Sequence, residues 1–301
     1  MSALRLGTRG SALALRQTEA VSIALAADRI DSEPVVIRTA GDRERDASLL
    51  QIGGQGVFVR QIEEALSAGE IDVAVHSAKD VPSELLAGTR IAATLPRADV
   101  RDALVGGRLA ELPARARVGT GSRRRAAQLL AARPDLVPTD IRGNVDTRLR
   151  KLAEGEYDAL LLAAAGLQRL DRADAASELL SIEVMLPAPG QGVIALQCRD
   201  GDEDPSRPRS AVDHAPPSIA LRAERALLAT LGAGCTLPIG ALAHTRVDEV
   251  ALIARVLDAE GERSINTQES GPIDEPESVG RRAGESLLAR GATELLQEPV
   301  R

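Results

Sequence analysis

Aromatic side chains are almost missing from this 301-residue chain: Phe58 and Tyr157 stand alone, and there is no tryptophan. Aliphatic groups must therefore fill the interior, and the aromatic platform on which single-stranded nucleic acid stacks its bases is not available. An excess of positive charge is lacking too. The formal net charge of −7 opposes non-specific attachment to a phosphate backbone, so any cationic site has to be a local concentration within a negative surface, and no nucleic-acid partner is expected. No apolar run reaches the length of a bilayer span, and Met1-Ser2-Ala3-Leu4-Arg5-Leu6 passes into strand-like sequence without the apolar core of a secretory signal. The expectation is a cytoplasmic protein with no membrane partner. Cys198 and Cys235 are too few for a disulfide scaffold, and His76, His214 and His244 are too scattered to complete a metal site, so no metal is expected. Lysine is also scarce: Lys79 and Lys151 are the only two among 37 basic residues. Arginine is the default cation here, and it counts as a ligand group only where its loop and neighbours support that.

What is present is the composition of a globular chain, 44% hydrophobic and 27% charged, with length enough for two or three cores. Leu4 to Gly7 reads as a strand, Ala12 to Ala27 as a helix, Pro34 to Arg38 as a short strand, and Gly41 to Gly56 as a glycine-rich loop over a site. Phe58 to Ala68 is an amphipathic helix. Asp72-Val73-Ala74-Val75 reads as a buried strand that delivers His76-Ser77-Ala78-Lys79-Asp80 to a loop at its carboxyl end, where open α/β sheets bind ligands. A second unit starts near Val100 and alternates strands (103–105, Val118, 137–141, 159–163) with helices (122–132, 146–154), which predicts a parallel sheet. Val193 to Cys198 is an apolar strand that could return to the first unit, so the chain would cross twice between units and form a hinge. Arg199 to Pro217 reads as a solvated linker. Beyond it lie a helix over 218–231, a Gly232-Ala233-Gly234-Cys235 loop, strands near 239–243 and 250–257, and a helix around 277–290. That order predicts a small α+β domain.

Two arginine-bearing loops carry the strongest chemical signal: Gly119-Thr120-Gly121-Ser122-Arg123-Arg124-Arg125 and Arg142-Gly143-Asn144-Val145-Asp146-Thr147-Arg148, each followed by helical sequence. Small residues let a ligand approach the backbone, the helix start offers unpaired N–H groups, and each guanidinium can hold a carboxylate or phosphate through two parallel bonds. Arg9 and Ser11, flanking Gly10 at a strand-to-helix turn, could form a further anion cradle. Asp80 beside Lys79 can either close a surface turn as a local ion pair or stabilise a developing cation and relay its proton. Cys235 in its glycine loop reads either as a buried small hydrophobe or as a covalent attachment point. Phe58 reads as core or as a cover over a ring substrate. These residues reach a multidomain α/β protein with a cleft for a polyanionic small molecule, and by themselves they do not name the reaction.

Taken in order, six segments resemble the porphobilinogen deaminase (hydroxymethylbilane synthase) family: Arg5 to Ser11, His76 to Pro82, Gly119 to Arg125, Arg142 to Leu149, Pro189 to Gly192 and Gly234 to Gly240. The resemblance spans nearly the whole chain. It implies a transferase that condenses four porphobilinogen molecules with loss of ammonia, and a dipyrromethane cofactor bound as a thioether to Cys235. It implies catalytic roles for Asp80, Lys79, Arg9, Arg142 and Arg148. Contacts to the cofactor fall on Lys79, Asp80, Ser122, Arg124, Arg125, Arg142 and Gly143, and contacts to substrate on Arg9, Ser11, Phe58, Arg142, Arg148, Arg169 and Gln191. The implied α/β architecture is two periplasmic-binding-protein-like domains with a hinge (1–97 with 192–212, and 98–191) plus a small α+β C-terminal domain (213–301) that carries Cys235. A monomer is expected, with porphobilinogen as its small-molecule partner. Arg123, Ala78 and Arg16 depart from the family pattern. The competing class is a non-catalytic two-lobed anion receptor, against which the missing export signal and missing DNA-binding segment argue.

Overall fold

The computed structural model describes residues 3–37, 56–201, 212–232 and 237–297. The predicted glycine-rich loop over 41–55 and Cys235 lie outside the described residues, as do residues 202–211 of the expected linker. The chain begins with β1 (Leu4–Thr8), α1 (Ala12–Ala27), β2 (Ser32–Val36), α2 (Gly56–Ser67), β3 (Val73–Ser77) and β4 (Thr89–Thr94). Helix α1 starts where Ser11 Oγ accepts the Ala14 N–H at 3.3 Å, so one of the helix's unsatisfied first donors is capped. β1 pairs in parallel with β2 and β3. Leu6, Val73 and Val75 on these strands pack under Val21 and Leu25 of α1 to make the first core.

The chain then crosses to a second sheet through residues 95–101. That lobe contains β5 (Asp102–Val105), β6 (Arg117–Gly119), α3 (Arg123–Ala132), β7 (Val137–Thr139), α4 (Val145–Ala153), β8 (Ala159–Ala163), α5 (Ala164–Arg169) and β9 (Glu178–Leu179). Residues 180–193 cross back and end in β10 (Ile194–Arg199), which enters the first sheet between β3 and β4. The sheet orders, β2-β1-β3-β10-β4 and β7-β6-β8-β5-β9, follow one topological plan. In each lobe the strand arriving from the other lobe occupies the fourth place and runs antiparallel to its neighbours. Both sheets are therefore mixed, because β5 and β10 are crossing strands and not βαβ strands, whereas the alternation of strands and helices in the second unit predicts a parallel sheet.

Two glycines allow the crossings to pass close together. Gly190 has φ +74 and a Cβ there would fall 2.9 Å from the backbone of Ala78 and Lys79. Gly192 has φ +88 and a Cβ would fall 2.6 Å from the Ala98 carbonyl. An L side chain at either position would add strain to a clash. The small Ala78, one of the departures from the family pattern, packs in this junction with Val193, Ala195 and Leu221.

The C-terminal unit contains α6 (Ala215–Thr230), an antiparallel sheet β11 (Ile239–Thr245), β12 (Glu249–Leu257) and β13 (Ser264–Pro272), then α7 (Pro276–Ala289) and α8 (Ala292–Gln297). Leu227, Leu252, Val256, Val279 and Leu287 fill its core. Helix α6 starts earlier than the sequence suggested, with proline in its first turn, where the missing N–H costs nothing. Residues 212–217, read as linker, instead dock on the first lobe: Thr94 N–H donates to Asp213 Oδ1 at 3.0 Å and His214 N–H to the Thr94 carbonyl at 2.9 Å.

Candidate active site between the lobes

The carboxyl end of β3 turns into a single 3-10 turn over Ala78–Asp80, closed by the Val81 N–H on the Ala78 carbonyl. This turn brings Asp80 to a pocket of about 150 Å³, where Arg9, Ser11, His76 and Ser77 share the wall with apolar Leu13, Val59 and Ile62. Residues far apart in sequence thus meet, with a carboxylate, a guanidinium and an apolar wall on one cavity. Ser11 also caps α1, so its oxygen is partly committed to the fold. Phe58 begins within α2, and its side chain lies outside the described residues.

Lys79 faces the other lobe. Burial, and next the Arg125 charge, lower its amine to about 8, while Asp80 and Asp102 oppose the shift. The buried side of this contact is organised by Asp102 at the start of β5. Arg125 donates to Asp102 Oδ1 from Nε at 3.0 Å and from Nη2 at 2.6 Å, and Arg124 Nη1 lies 2.8 Å from Oδ2. Asp102 is 0% exposed, Arg124 4% and Arg125 7%, so water screens this triad little. Burial alone would raise the Asp102 carboxyl; the two guanidiniums overcome it and hold the group well below the usual carboxylate range. Arg125 also donates to the Leu161 carbonyl and Arg124 to the Leu186 carbonyl. In this structure the Arg125 fork grips an internal carboxylate rather than standing open, a commitment the loop sequence does not reveal.

Ser122 Oγ accepts the Arg125 N–H at 3.5 Å as the cap of α3, and Asn144 Oδ1 accepts the Thr147 N–H at 2.9 Å as the cap of α4. These caps aim the two loops. Arg123 is exposed. On the second loop, Arg148 Nε donates to the Gly143 carbonyl at 2.8 Å and Arg142 Nε to Asp140 Oδ2 at 2.9 Å. Burial, then the charges of Arg125 and Arg142, bring Arg148 down to about 10. That mutual influence places Arg142, Arg148, Arg125 and Lys79 in one connected cationic field. A field of that kind is matched to a ligand with several carboxylates.

The hinge residues join the same network. Gln191, fully buried, donates from Nε2 to the Val100 carbonyl at 2.8 Å and to Asp102 Oδ1 at 3.0 Å. Arg169 donates to the Gly192 carbonyl at 2.7 Å, and burial lowers its pKa. Glu224 of α6 fastens the C-terminal unit to both crossings. Its buried carboxylate accepts from Arg97 at 2.7 and 3.3 Å, from the Gly190 N–H at 2.5 Å and from the Ala243 N–H at 2.8 Å. Asp102, Arg97 and Glu224 were not singled out from the sequence; each is one charged residue in an unremarkable segment, and only the fold pairs them. Arg16 bridges the lobes on the outside, 3.2 Å from Asp171 of the second lobe. Among the described residues no group of histidine, cysteine and carboxylates could hold a metal ion. No helix among the described residues is long and apolar enough to cross a membrane.

Comparison with known proteins gives this geometry a family. Residues 4–207 match the family model described as porphobilinogen deaminase, dipyromethane cofactor binding domain, and residues 218–289 match the porphobilinogen deaminase C-terminal domain. The chain is 49% identical to porphobilinogen deaminase of Acidothermus cellulolyticus over 306 residues, covering 99% of this chain and 92% of that one. It is also 49% identical to that of Roseiflexus sp. over 298 residues, covering 97% and 98%. Among solved structures it is similar to a periplasmic substrate-binding protein of an ABC transporter from Coxiella burnetii, with TM-score 0.43, 14% identity, and coverage of 74% of this chain and 96% of that one. With both family domains matched in order and near half identity along the whole length, the chain belongs to the porphobilinogen deaminase family.

Proposed function

We propose that this protein condenses four porphobilinogen molecules stepwise, losing ammonia at each addition, on a dipyrromethane primer attached through Cys235, and releases hydroxymethylbilane for tetrapyrrole synthesis. The observation that carries this reading is the meeting of Asp80, in the pocket with Arg9 and Ser11, with a cationic field built from both lobes around Lys79. Each porphobilinogen ring carries an acetate and a propionate, so a growing chain accumulates negative charge. One charge-assisted hydrogen bond contributes about 1.5–3 kcal/mol, and several guanidiniums together offset a repulsion that a neutral pocket could not.

The donor set fits a polycarboxylate cofactor. Arg124 Nε and Gln191 Oε1 are buried without a hydrogen-bond partner among the described residues, as expected of a polar site completed by a bound group. Lys79, Ser122, Arg124, Arg125, Arg142 and Gly143 would hold the dipyrromethane. When bound, that group supplies the electron-rich pyrrole carbon to which the first ring is joined. Asp80 holds a negative charge opposite the cation that develops as the amine leaves the incoming ring, and accepts or passes on the proton released there. Arg9, Arg142, Arg148 and Arg169 orient the substrate carboxylates. Gln191 ties the hinge to Asp102, so lobe movement and the arginine triad are mechanically connected. Domain boundaries at 1–97 with 192–212, 98–191 and 213–301 complete the reading, with the last carrying Cys235 toward the cleft. Purified protein supplied with porphobilinogen should release four ammonia molecules per hydroxymethylbilane; binding of porphobilinogen without ammonia release would instead leave a receptor.

A further inference from the structure

One side chain of the Asp80 pocket has no part in the chemistry proposed above, and its hydrogen bonds fix its state. His76 Nε2 lies 3.0 Å from Gln197 Oε1. The Gln197 amide can be oriented in only one way, because its Nε2 donates to Glu63 Oε1 at 2.8 Å and to Thr89 Oγ1 at 2.7 Å. The Thr89 hydroxyl directs its own proton to the Leu86 carbonyl at 2.6 Å. Gln197 Oε1 can therefore only accept, and His76 Nε2 must carry the ring proton. Burial brings the ring down to about 4, so the imidazole is neutral near pH 7 and its Nδ1 keeps a lone pair. Nδ1 has no partner among the described residues and is not one of the fully enclosed polar atoms. His76 is part of the pocket wall, and Nδ1 is the ring atom left without a protein partner among the described residues to meet a ligand there.

The polar groups that share the wall differ in kind. Asp80 is a charged acceptor suited to a cation, Arg9 is a donor suited to a carboxylate, and Ser11 Oγ already accepts the Ala14 N–H. Ser77 and Gln17 can both donate and accept, whereas His76 Nδ1 can only accept. A neutral acceptor held at a fixed angle matches a neutral donor. Porphobilinogen has one: its carboxylates accept, its aminomethyl group is a cation, and its ring N–H is neutral. We propose that His76 orients the substrate, its Nδ1 accepting a hydrogen bond from the pyrrole N–H of the incoming ring while Asp80 faces the departing amine. This inference rests on the functional reading above. So weak a base does not take the proton in turnover; it sets the rotation of the ring in the pocket. The chain Thr89–Gln197–His76 serves to keep the ring in this tautomer.

His76→Gln tests the role. A glutamine amide can reach the Nε2 position and keep the Gln197 contact, but it places no acceptor at Nδ1. The variant should fold and carry its cofactor, with KM for porphobilinogen raised about 2- to 10-fold, the equivalent of one neutral hydrogen bond, and kcat changed less. A purely structural histidine would leave KM untouched in a folded His76→Gln protein, and that result overturns the proposal. The wild-type holoenzyme gives an independent readout. Labelled with 15N-histidine, it has three imidazoles, and His76 should show a protonated Nε2 and an unprotonated Nδ1 that shifts upfield on addition of porphobilinogen. An Nδ1-protonated ring, or a signal indifferent to substrate in an enzyme that consumes it, sinks the proposal alone; failure of the wild type to consume porphobilinogen sinks the functional reading with it.

Discussion

Replacing Asp102 by asparagine keeps the shape of the side chain and its contact with Gln191 but removes the carboxylate that both Arg124 and Arg125 grip. Within the protein both guanidiniums then keep only neutral carbonyl partners, Leu186 for Arg124 and Leu161 for Arg125. Breaking a buried charge pair by deleting one partner costs about 3–5 kcal/mol, and here one deletion strands two partners, so the upper end of that range applies. At about 2–4 °C per kcal/mol, the scale for domains of about 150–250 residues, a loss of about 5 kcal/mol should lower the melting midpoint by about 10–20 °C at pH 7. The sign with pH follows from the direction of the Asp102 shift. Its carboxyl is held below the usual range in the folded state, so its contribution is present in full above the unfolded value of about 3.9 and is lost as pH falls through the folded one. Wild type and variant should therefore differ in stability at pH 5–8 and converge under strongly acid conditions. Calorimetry or fluorescence-dye melting across that range measures both. An Asp102→Asn protein as stable as wild type at pH 7 would show that the arginines do not depend on this carboxylate.

Lys79 should titrate near pH 8 instead of about 10.4, because burial and Arg125 disfavour its charged form. With only two lysines in the chain, reductive 13C-methylation gives separate signals for Lys79 and Lys151; two ordinary midpoints would contradict the burial argument. Between about pH 8 and 10.4 the unfolded chain binds a proton that the native state has released, so this group's contribution to stability rises with pH across that window. Asp80→Asn should keep the fold and the cofactor yet lose nearly all turnover, and near-normal rates would remove Asp80 from the mechanism. Gly190→Ala forces an L residue into φ +74 with its Cβ against the Ala78–Lys79 backbone, at a cost of about 1–3 kcal/mol and with impaired catalysis through the displaced Lys79; a stable, fully active Gly190→Ala enzyme would show the hinge has slack there.

Local signals made the βα units legible before any fold was known. The Ser11, Ser122 and Asn144 caps sit where a small polar residue precedes apolar helical spacing, and β3 reads as buried because Val73-Ala74-Val75 is continuous and apolar. Strand direction was not legible for β5 and β10, since an apolar run carries no record of which sheet it enters. β13 escaped because Ser264 to Pro272 is polar, an edge strand whose residues alternate between exposed and half-buried. Within the site, the arginine loops announced themselves by composition, whereas the groups that restrain them, Asp102 for Arg124 and Arg125 and Glu224 for Arg97, are single residues at separations of 23 and 127 positions. Their meaning comes from pairing across elements, and no local pattern encodes it. Arg125 illustrates the consequence: its loop reads as an open anion cradle, and the fold gives its fork an internal partner.

On the proposed reading, cations gathered from two lobes hold a pyrrole chain tethered to Cys235, with Asp80 facing the reacting ring. Intact mass spectrometry of the denatured protein, before and after a brief exposure to porphobilinogen, tests it most directly. An adduct of two pyrroles, absent from Cys235→Ser, should be present before exposure, with a ladder of one-ring increments in the exposed sample. A fully active protein whose Cys235 remains an unmodified thiol would contradict it.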